Sequence, residues 1–550
     1  MSKMLKSTGA MGAATLLSRV LGLAREMVYA AFMGDGPVAG AFKMAFTIPN
    51  LFRRLLGEGA LTAAFIPIFK EKERNGAPGE MWNAANAVIS GLVMASSAII
   101  LVVLLGITLF LNWTSPSNLS GSLLEIAPQL AADSISSIAP ETRLMLELLR
   151  VMFPYMMIIC LTAIFIGMLN STGHFFVPAL GATVLNLVMI AVVFLVTPLF
   201  GSQLHDQVFG LAWGVLVAGL AQAAYQLPTL FSKGYRPRWT NPFNNPVVSE
   251  VVRKMIPGMM GVAAFQINVL TNSSIAFAMD PQITASFDYA VRLMEFPQGI
   301  FAVSLATFLL PTLAGLAVDK KYDEFRSMYK DAFSHLVFVN GLAAVLLIAL
   351  AEPMIRLLFE YGKFNADSTG RASFALVCLA PSLIGFSLVN ISARAFYALG
   401  DTKTPMRISV VCLVMNILFV VLLLPSFRQG GLGIANTLSS TLNIGLLLYA
   451  LRRKLPKLNL AELRGPCLNM AAGAILAGVV AWASWKGLAS ISGIPAWIQR
   501  PAEVFLPITA ATAAYFGLLK WLGVKEVEIF SQMLRARLGR RPKSDDGKKD

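Results

Sequence analysis

The stretch IPNLFRRLLGEGALTAAF, residues 48–65, sets Arg53, Arg54 and Glu58 among positions that are otherwise almost all apolar. In a water-soluble helix three charges would mark the solvated face. The chain around them is apolar, however, and a charge at bilayer depth costs roughly 2.5–3.5 kcal/mol on insertion scales, so it faces a wet cavity or a partner. The stretch therefore reads as one wall of a polar chamber inside a membrane protein.

Composition agrees with that reading. Of 550 residues, 56% are hydrophobic and 14% are charged, against about 25% charged in ordinary soluble domains, and the mean hydropathy is +0.66. The cysteines, Cys160, Cys378, Cys412 and Cys467, lie in or beside apolar runs without paired or metal-type spacing. They read as small apolar residues rather than as disulfides or zinc ligands. Lys3 and Lys6 precede the first apolar run, but that run contains Arg19 and Arg25 and no small-residue cleavage site. It is expected to be a retained first helix rather than a signal peptide.

With about 20 apolar residues needed per span, and loops marked by Pro, Gly and charge clusters, fourteen transmembrane helices are expected. They cover 10–33, 38–69, 83–112, 143–169, 175–199, 208–231, 250–279, 284–317, 328–351, 369–399, 405–424, 431–451, 466–488 and 502–522. Loops and adjoining span ends on the side of the N-terminus hold 30 of the 45 Lys and Arg residues; those on the opposite side hold five, Arg356, Lys363, Arg428, Lys486 and Arg500. By the positive-inside rule both termini are expected in the cytosol. The net charge of +15 then belongs to cytosolic loops and to a basic tail whose arginines can touch anionic headgroups, worth about 1 kcal/mol each. With no soluble domain beside that charge, nucleic-acid binding is not expected.

The halves repeat. LNSTGHFFVPAL with Pro178 matches ALGDTKTPMRI with Pro405, Gly210-Leu211 matches Gly431-Leu432, and Tyr225 matches Tyr449, at offsets of 227, 221 and 224. Two six-helix halves follow, and duplicated halves around a midplane site are typical of secondary transporters. The second half has its own charged stretch, FDYAVRLMEFPQGIFAVSLATFLLPTL, in which Asp288, Arg292 and Glu295 share one helix face through i,i+4 and i,i+3 spacing. Local ion pairing and a cavity-facing wall both fit that spacing.

Helix one, SRVLGLARE, adds Ser18, Arg19, Arg25 and Glu26. Arg54 and Glu58 stand i,i+4 and can pair, leaving Arg53 to a ligand. Arg19, Arg25, Arg53, Arg54 and Arg292 are thus expected to meet in a chamber that also holds Glu26, Glu58, Asp288 and Glu295. The planar arginine fork fits phosphate oxygens in pairs, so an amphiphilic, phosphate-bearing ligand is indicated. No phosphate-binding GxxxxGK[ST] loop, no HExxH and no cysteine pair occurs. No cofactor or metal is expected, and the energy for transport has to come from an ion gradient, the membrane potential or the substrate's own gradient.

SRVLGLARE, AFKMAFTIPNLFRRLLGEGALTAAFIPIF, VRLMEFPQGIF, LFEYGKF and the FYALGDTKTP turn together resemble the MurJ (MviN) family of lipid II flippases, of the multidrug/oligosaccharidyl-lipid/polysaccharide (MOP) exporter superfamily. The resemblance runs from about residue 5 to 525. It implies an all-α polytopic protein: an N-terminal lobe over 1–231, a C-terminal lobe over 232–455, two further helices over 456–523 that form a lipid-tail groove, and a basic cytosolic tail over 524–550. The implied substrate is lipid II, undecaprenyl pyrophosphate carrying a disaccharide-pentapeptide, flipped from the cytosolic to the periplasmic leaflet of the bacterial inner membrane in peptidoglycan synthesis. It further implies a transporter, not an enzyme, acting as a monomer among membrane lipids, with cell-wall synthesis proteins as possible neighbours. Its cavity arginines fall on Arg19, Arg25, Arg53 and Arg292, and its acid on Glu58. Members often have Asp where this chain has Gly40, and Asp where it has Val291, which moves acidic partners onto Asp288 and Glu26. Helices seven and eleven carry no intramembrane carboxylate for a family-type sodium site. The alternatives that remain are a flippase for another polyprenyl-linked oligosaccharide, a drug exporter, a membrane-embedded cell-wall glycosyltransferase and a scaffold. An arginine-rich chamber disfavours cationic drugs, and acidic metal ligands on a loop, which a glycosyltransferase needs, are not evident.

Overall fold

The computed structural model describes residues 2–55, 61–77, 79–114, 138–491 and 493–537, and its regular elements among them are all helical. In chain order they are α1 (Ser2–Met33), α2 (Pro37–Phe52), α3 (Leu61–Asn75), α4 (Glu80–Trp113), α5 (Pro140–Met152), α6 (Tyr155–Ser171), α7 (Phe176–Leu195), α8 (Leu204–Ser232), α9 (Pro246–Met279) and α10 (Pro281–Pro297). There follow α11 (Val303–Val318), α12 (Tyr322–Ala349), α13 (Ala351–Phe359), α14 (Ala366–Leu379), α15 (Ser382–Ala398), α16 (Lys403–Phe427), α17 (Gln429–Lys454), α18 (Arg464–Ala489), α19 (Ala496–Trp521) and α20 (Lys525–Arg537). Two compact units arise, Met1–Ala285 with Tyr361–Asn365, and Ser286–Glu360 with Ala366–Asp550.

Four expected spans are bent or interrupted in mid-span, and the sequence supplies reasons. The spans at 143–169 and 369–399 are bent pairs, α5 with α6 and α14 with α15, each bent by 43°. Pro154 and Pro381 stand at the two breaks, where a proline lacks the N–H for the i−4 carbonyl. The spans at 38–69 and 284–317 pass through a turn of π-helix, at 53–55 and at Gln298–Ala302. Such wide turns gather at functional sites. Among the described residues eight helices are long and apolar enough to cross a membrane, ten if each bent pair is one span. The expected spans that miss this measure are 10–33, 38–69, 250–279 and 284–317, three of them the ones that carry the charged stretches.

In the first unit one core joins α2, α5, α6 and α8 around Phe42, Met44, Met152, Phe153, Tyr155 and Leu211; a second joins α3 and α6 around Phe65, Phe69 and Met168. Apolar side chains gain little from leaving lipid for protein, so close backbone approach has to hold such helices. Gly214 accordingly sits where a Cβ would come within 2.3 Å of Val192, and Gly219 within 2.8 Å of Tyr155. The segment after α8 is pinned along α4. Asn86 donates to the Arg236 carbonyl at 2.9 Å and accepts from the Arg238 N–H at 3.2 Å, while Ser90 accepts from the Thr240 N–H at 3.1 Å.

The second unit shows the same devices. Its cores gather Leu309, Phe325, Tyr329, Ile391 and Leu447, and, around the α18–α19 pair, Phe338, Met470, Trp485 and Tyr515. The Tyr515 hydroxyl donates to the Phe338 carbonyl at 2.8 Å. The matched glycines now have a cause. A Cβ on Gly210 would meet Phe200, in the 3-10 turn Thr197–Phe200 that follows α7, at 2.8 Å, and one on Gly431 would meet the Leu423 carbonyl near the end of α16 at 2.7 Å, so each lets a helix pack closely on the chain just before it. Pro178 and Pro405 likewise both occupy the third position of a helix, α7 and α16.

Candidate functional site

In the first unit, α1 lies against α7. Asn186 donates to the Ser18 carbonyl at 3.2 Å, and Gly22 leaves room for the Asn186 amide, 3.5 Å from where its Cβ would be. Arg19, on the next position round the helix, is exposed. Two turns further on, Glu26 is buried, 4% exposed, although it lies on nearly the same side of α1 as Arg19. The Arg25 guanidinium donates to Glu26 at 2.6 Å and lies 5.4 Å from the centre of the Tyr29 ring, an arrangement that attracts a cation to the ring face. The other carboxylate oxygen of Glu26 is 3.7 Å from Lys43 Nζ on α2.

Tyr29 starts a row of rings. Tyr29 meets Phe42 edge-on at 6.0 Å, Phe42 stacks on Phe46 at 6.3 Å, and Phe46 meets Tyr155 at 5.8 Å. Arg53 opens the π turn after α2, and its Nε donates to Asn50 Oδ1 at 2.7 Å, so the IPN tripeptide supplies the acceptor that orients this fork. Arg54 is partly buried in the same turn. Glu58, and with it the expected Arg54–Glu58 pair, lies outside the described residues.

The second unit carries Asp288, Arg292 and Glu295 on α10. Arg292 is 3.8 Å from Asp288 and donates to Glu295 at 3.1 Å, all three side chains being about one-third exposed or somewhat more. Two turns of the helix therefore hold a partly exposed cation between two acids, as the i,i+4 and i,i+3 spacing predicts. The neighbouring Met294 is fixed by Ser382 of α15, whose Oγ lies 3.4 Å from its sulfur.

Sequence reasoning missed Lys43, Asn50 and the Tyr29–Tyr155 row. A lone lysine in the apolar run AFKMAF was the available signal for the first; ring contacts between helices have no local one. Among the described residues no three His, Cys, Asp or Glu side chains gather as metal ligands.

The chain matches the family model described as lipid II flippase MurJ over residues 29–491. It is 33% identical over 530 residues to the probable lipid II flippase MurJ of Bdellovibrio bacteriovorus, covering 96% of each chain. It is 31% identical to the lipid II flippase MurJ of Burkholderia cenocepacia, over 93% of this chain and 96% of that one. Its fold is that of a lipid II flippase MurJ solved in an inward closed conformation, with a TM-score of 0.72 at 22% identity over 92% of this chain and 99% of that one. An inward-facing multidrug resistance MATE family transporter of the MOP superfamily shares the fold more distantly, with a TM-score of 0.61 at 16% identity over 81% and 97%.

Proposed function

The chain belongs to the MurJ family of lipid II flippases, and from that membership we propose which of its side chains handle the lipid. It is a transporter of the bacterial inner membrane, not an enzyme. It moves lipid II between leaflets by alternating access, in the service of peptidoglycan synthesis. The substrate presents a pyrophosphate, a polar disaccharide-pentapeptide and a long polyprenyl tail. The pyrophosphate is the group that a charged wall recognises.

Arg25 and Arg53 of the first unit and Arg292 of the second bind that pyrophosphate; Ser18, Arg19 and Arg54 flank them. The observation that carries this assignment is the mounting of the two forks in the first unit. Each is tied to a neighbour on its own helix, Arg25 to Glu26 at 2.6 Å and Arg53 to Asn50 at 2.7 Å, and the ring row runs between their helices. A preorientated guanidinium loses less freedom on gripping phosphate oxygens. Glu26, Glu58, Asp288 and Glu295 hold the arginines when no lipid is bound, which keeps the headgroup from binding too tightly to leave. The tail remains in lipid along α18 and α19, both termini are cytosolic, the protein acts as a monomer, and an ion gradient or the membrane potential supplies the bias.

Reconstitution tests this. Arg25→Ala and Arg292→Ala each lower lipid II translocation in proteoliposomes at least tenfold, about 1.4 kcal/mol, at unchanged membrane level and thermal stability. Wild-type translocation in both variants would refute the assignment. Translocation of other polyprenyl-linked oligosaccharides at the same rate would refute the specificity.

A further inference from the structure

Arg25 and Glu26 are adjacent on α1, and adjacent positions on a helix point about 100° apart and do not face each other. Their 2.6 Å bond therefore requires both side chains to lean towards one another. A buried carboxylate has little reason to lean unless a second group holds it. That group is on α2. Lys43 is only 8% exposed and Glu26 4%, and Lys43 Nζ stands 3.7 Å from Glu26 Oε2 while Arg25 takes Oε1. One carboxylate thus bridges two cations on two helices, using a different oxygen for each.

Burial of a lysine in an apolar helix costs several kcal/mol without a partner, so its presence in the core between α1 and α2 needs an explanation. Thr47, one turn later, donates to the Lys43 carbonyl at 2.8 Å, and Phe42 and Met44 on either side are packed into the core. The backbone that carries Lys43 is therefore firmly placed, and its ammonium is a fixed point against which Glu26 can be aimed. Lys43 itself is too enclosed to take a lipid headgroup.

We infer that Lys43 is a positioning residue for lipid II binding. Through Glu26 it holds the Arg25 guanidinium over Tyr29 in the orientation that receives the pyrophosphate. The inference rests on the assignment of Arg25 as a pyrophosphate ligand. Loss of the ammonium lets Glu26 relax, and Arg25 then has to be ordered at the expense of substrate affinity.

The measurement is equilibrium binding of lipid II to the purified full-length protein in nanodiscs, with melting temperature recorded for every variant. Lys43→Met weakens binding about tenfold and Lys43→Arg stays within about threefold of wild type, as a rescued position does. Arg25→Ala weakens it at least as much as Lys43→Met, and the Arg25→Ala/Lys43→Met double variant binds no more weakly than Arg25→Ala alone, because the two act as one unit. A double variant that loses the product of the single effects, or Lys43→Met with wild-type affinity, overturns the inference while leaving the arginine assignment standing. Wild-type affinity in Arg25→Ala overturns both. If Lys43→Met does not accumulate, Glu26→Gln/Lys43→Met removes both buried charges together; binding as weak as in Glu26→Gln alone supports the inference, and wild-type binding or a further loss beyond Glu26→Gln overturns it.

Discussion

Gly40 shows how one residue can depart from a family pattern for a steric reason. A Cβ at this position of α2 would come within 2.2 Å of the Pro281 carbonyl and 2.7 Å of its carbon, so no residue larger than glycine fits while the start of α10 stays where it is. Gly40→Asp, which installs the acid that the family resemblance leads one to expect here, is expected to destabilise the protein by about 1–3 kcal/mol, the range for overpacking a filled site. A lower melting temperature in detergent and less folded protein in membranes are the readouts; an unchanged melting temperature would show that α2 and α10 can separate at no cost. The charged residues of the candidate site could be singled out in the sequence because an arginine inside an apolar span has few benign explanations. Their partners were legible only where spacing along one helix fixes them, as for Asp288, Arg292 and Glu295. Lys43 escaped because its partner, Glu26, lies on another helix, and no local spacing reports that meeting.

At the scale of elements, hydrophobic runs gave the helices and their order, whereas their interruptions depended on the backbone. Pro154 and Pro381 were visible as prolines, yet bends of 43° follow only where the neighbouring turns accept the lost hydrogen bond, which sequence does not state. The π turns at 53–55 and Gln298–Ala302 follow Pro49 and Pro297, but a proline alone does not specify a wide turn; the more visible mark was the charge beside them. The FYALGDTKTP turn is a case where motif and geometry do coincide. Asp401 accepts from the Thr404 N–H at 3.0 Å, from the Thr404 hydroxyl at 2.8 Å and from Lys454 at 2.7 Å, tying the start of α16 to the end of α17. The Lys454 ammonium, helped by the Thr404 bonds, lowers the Asp401 pKa to about 2. A lowered folded-state pKa gives stability that is fully present above the ordinary aspartate range and is lost as pH falls through the folded value. Asp401→Asn keeps an acceptor for Thr404 but removes the charge. The melting-temperature gap between wild type and Asp401→Asn should therefore be constant from pH 8 to about 5 and close between roughly pH 4 and 2. The pair is partly exposed, so the gap corresponds to about 1 kcal/mol or less. A gap that widens on acidification would contradict the pairing.

For the whole molecule the governing quantity is uncompensated positive charge, and the ion pairs make the sequence bias stronger than a count of Lys and Arg suggests. Among the described residues, Arg356 and Arg500, both expected outside, are matched by acids. Arg356 pairs with Glu352 at 2.5 Å and Glu503 at 3.5 Å, and Arg500 with Glu360 at 3.1 Å. On the opposite side Lys70, Lys72, Lys254, Lys321, Arg326, Lys330 and Lys454 also have acids beside them among the described residues, but that side holds six times as many cations, and Arg452, Arg453, Lys457 and Arg464 crowd one short stretch of it. Insertion responds to cations near span ends and little to acids, so this unequal neutralisation acts after insertion: an inverted protein would leave a dense basic surface on the face that lacks most of the membrane's anionic lipid. The turns at either end of α18 test the orientation, since both Lys457 and Ser490 are exposed. In a background where the four native cysteines are replaced, a cysteine at Ser490 should react with a membrane-impermeant maleimide in intact cells made permeable only at the outer membrane, and one at Lys457 should react only after the inner membrane is opened. The reverse pattern would invert the molecule, and with it the leaflet from which lipid II is taken.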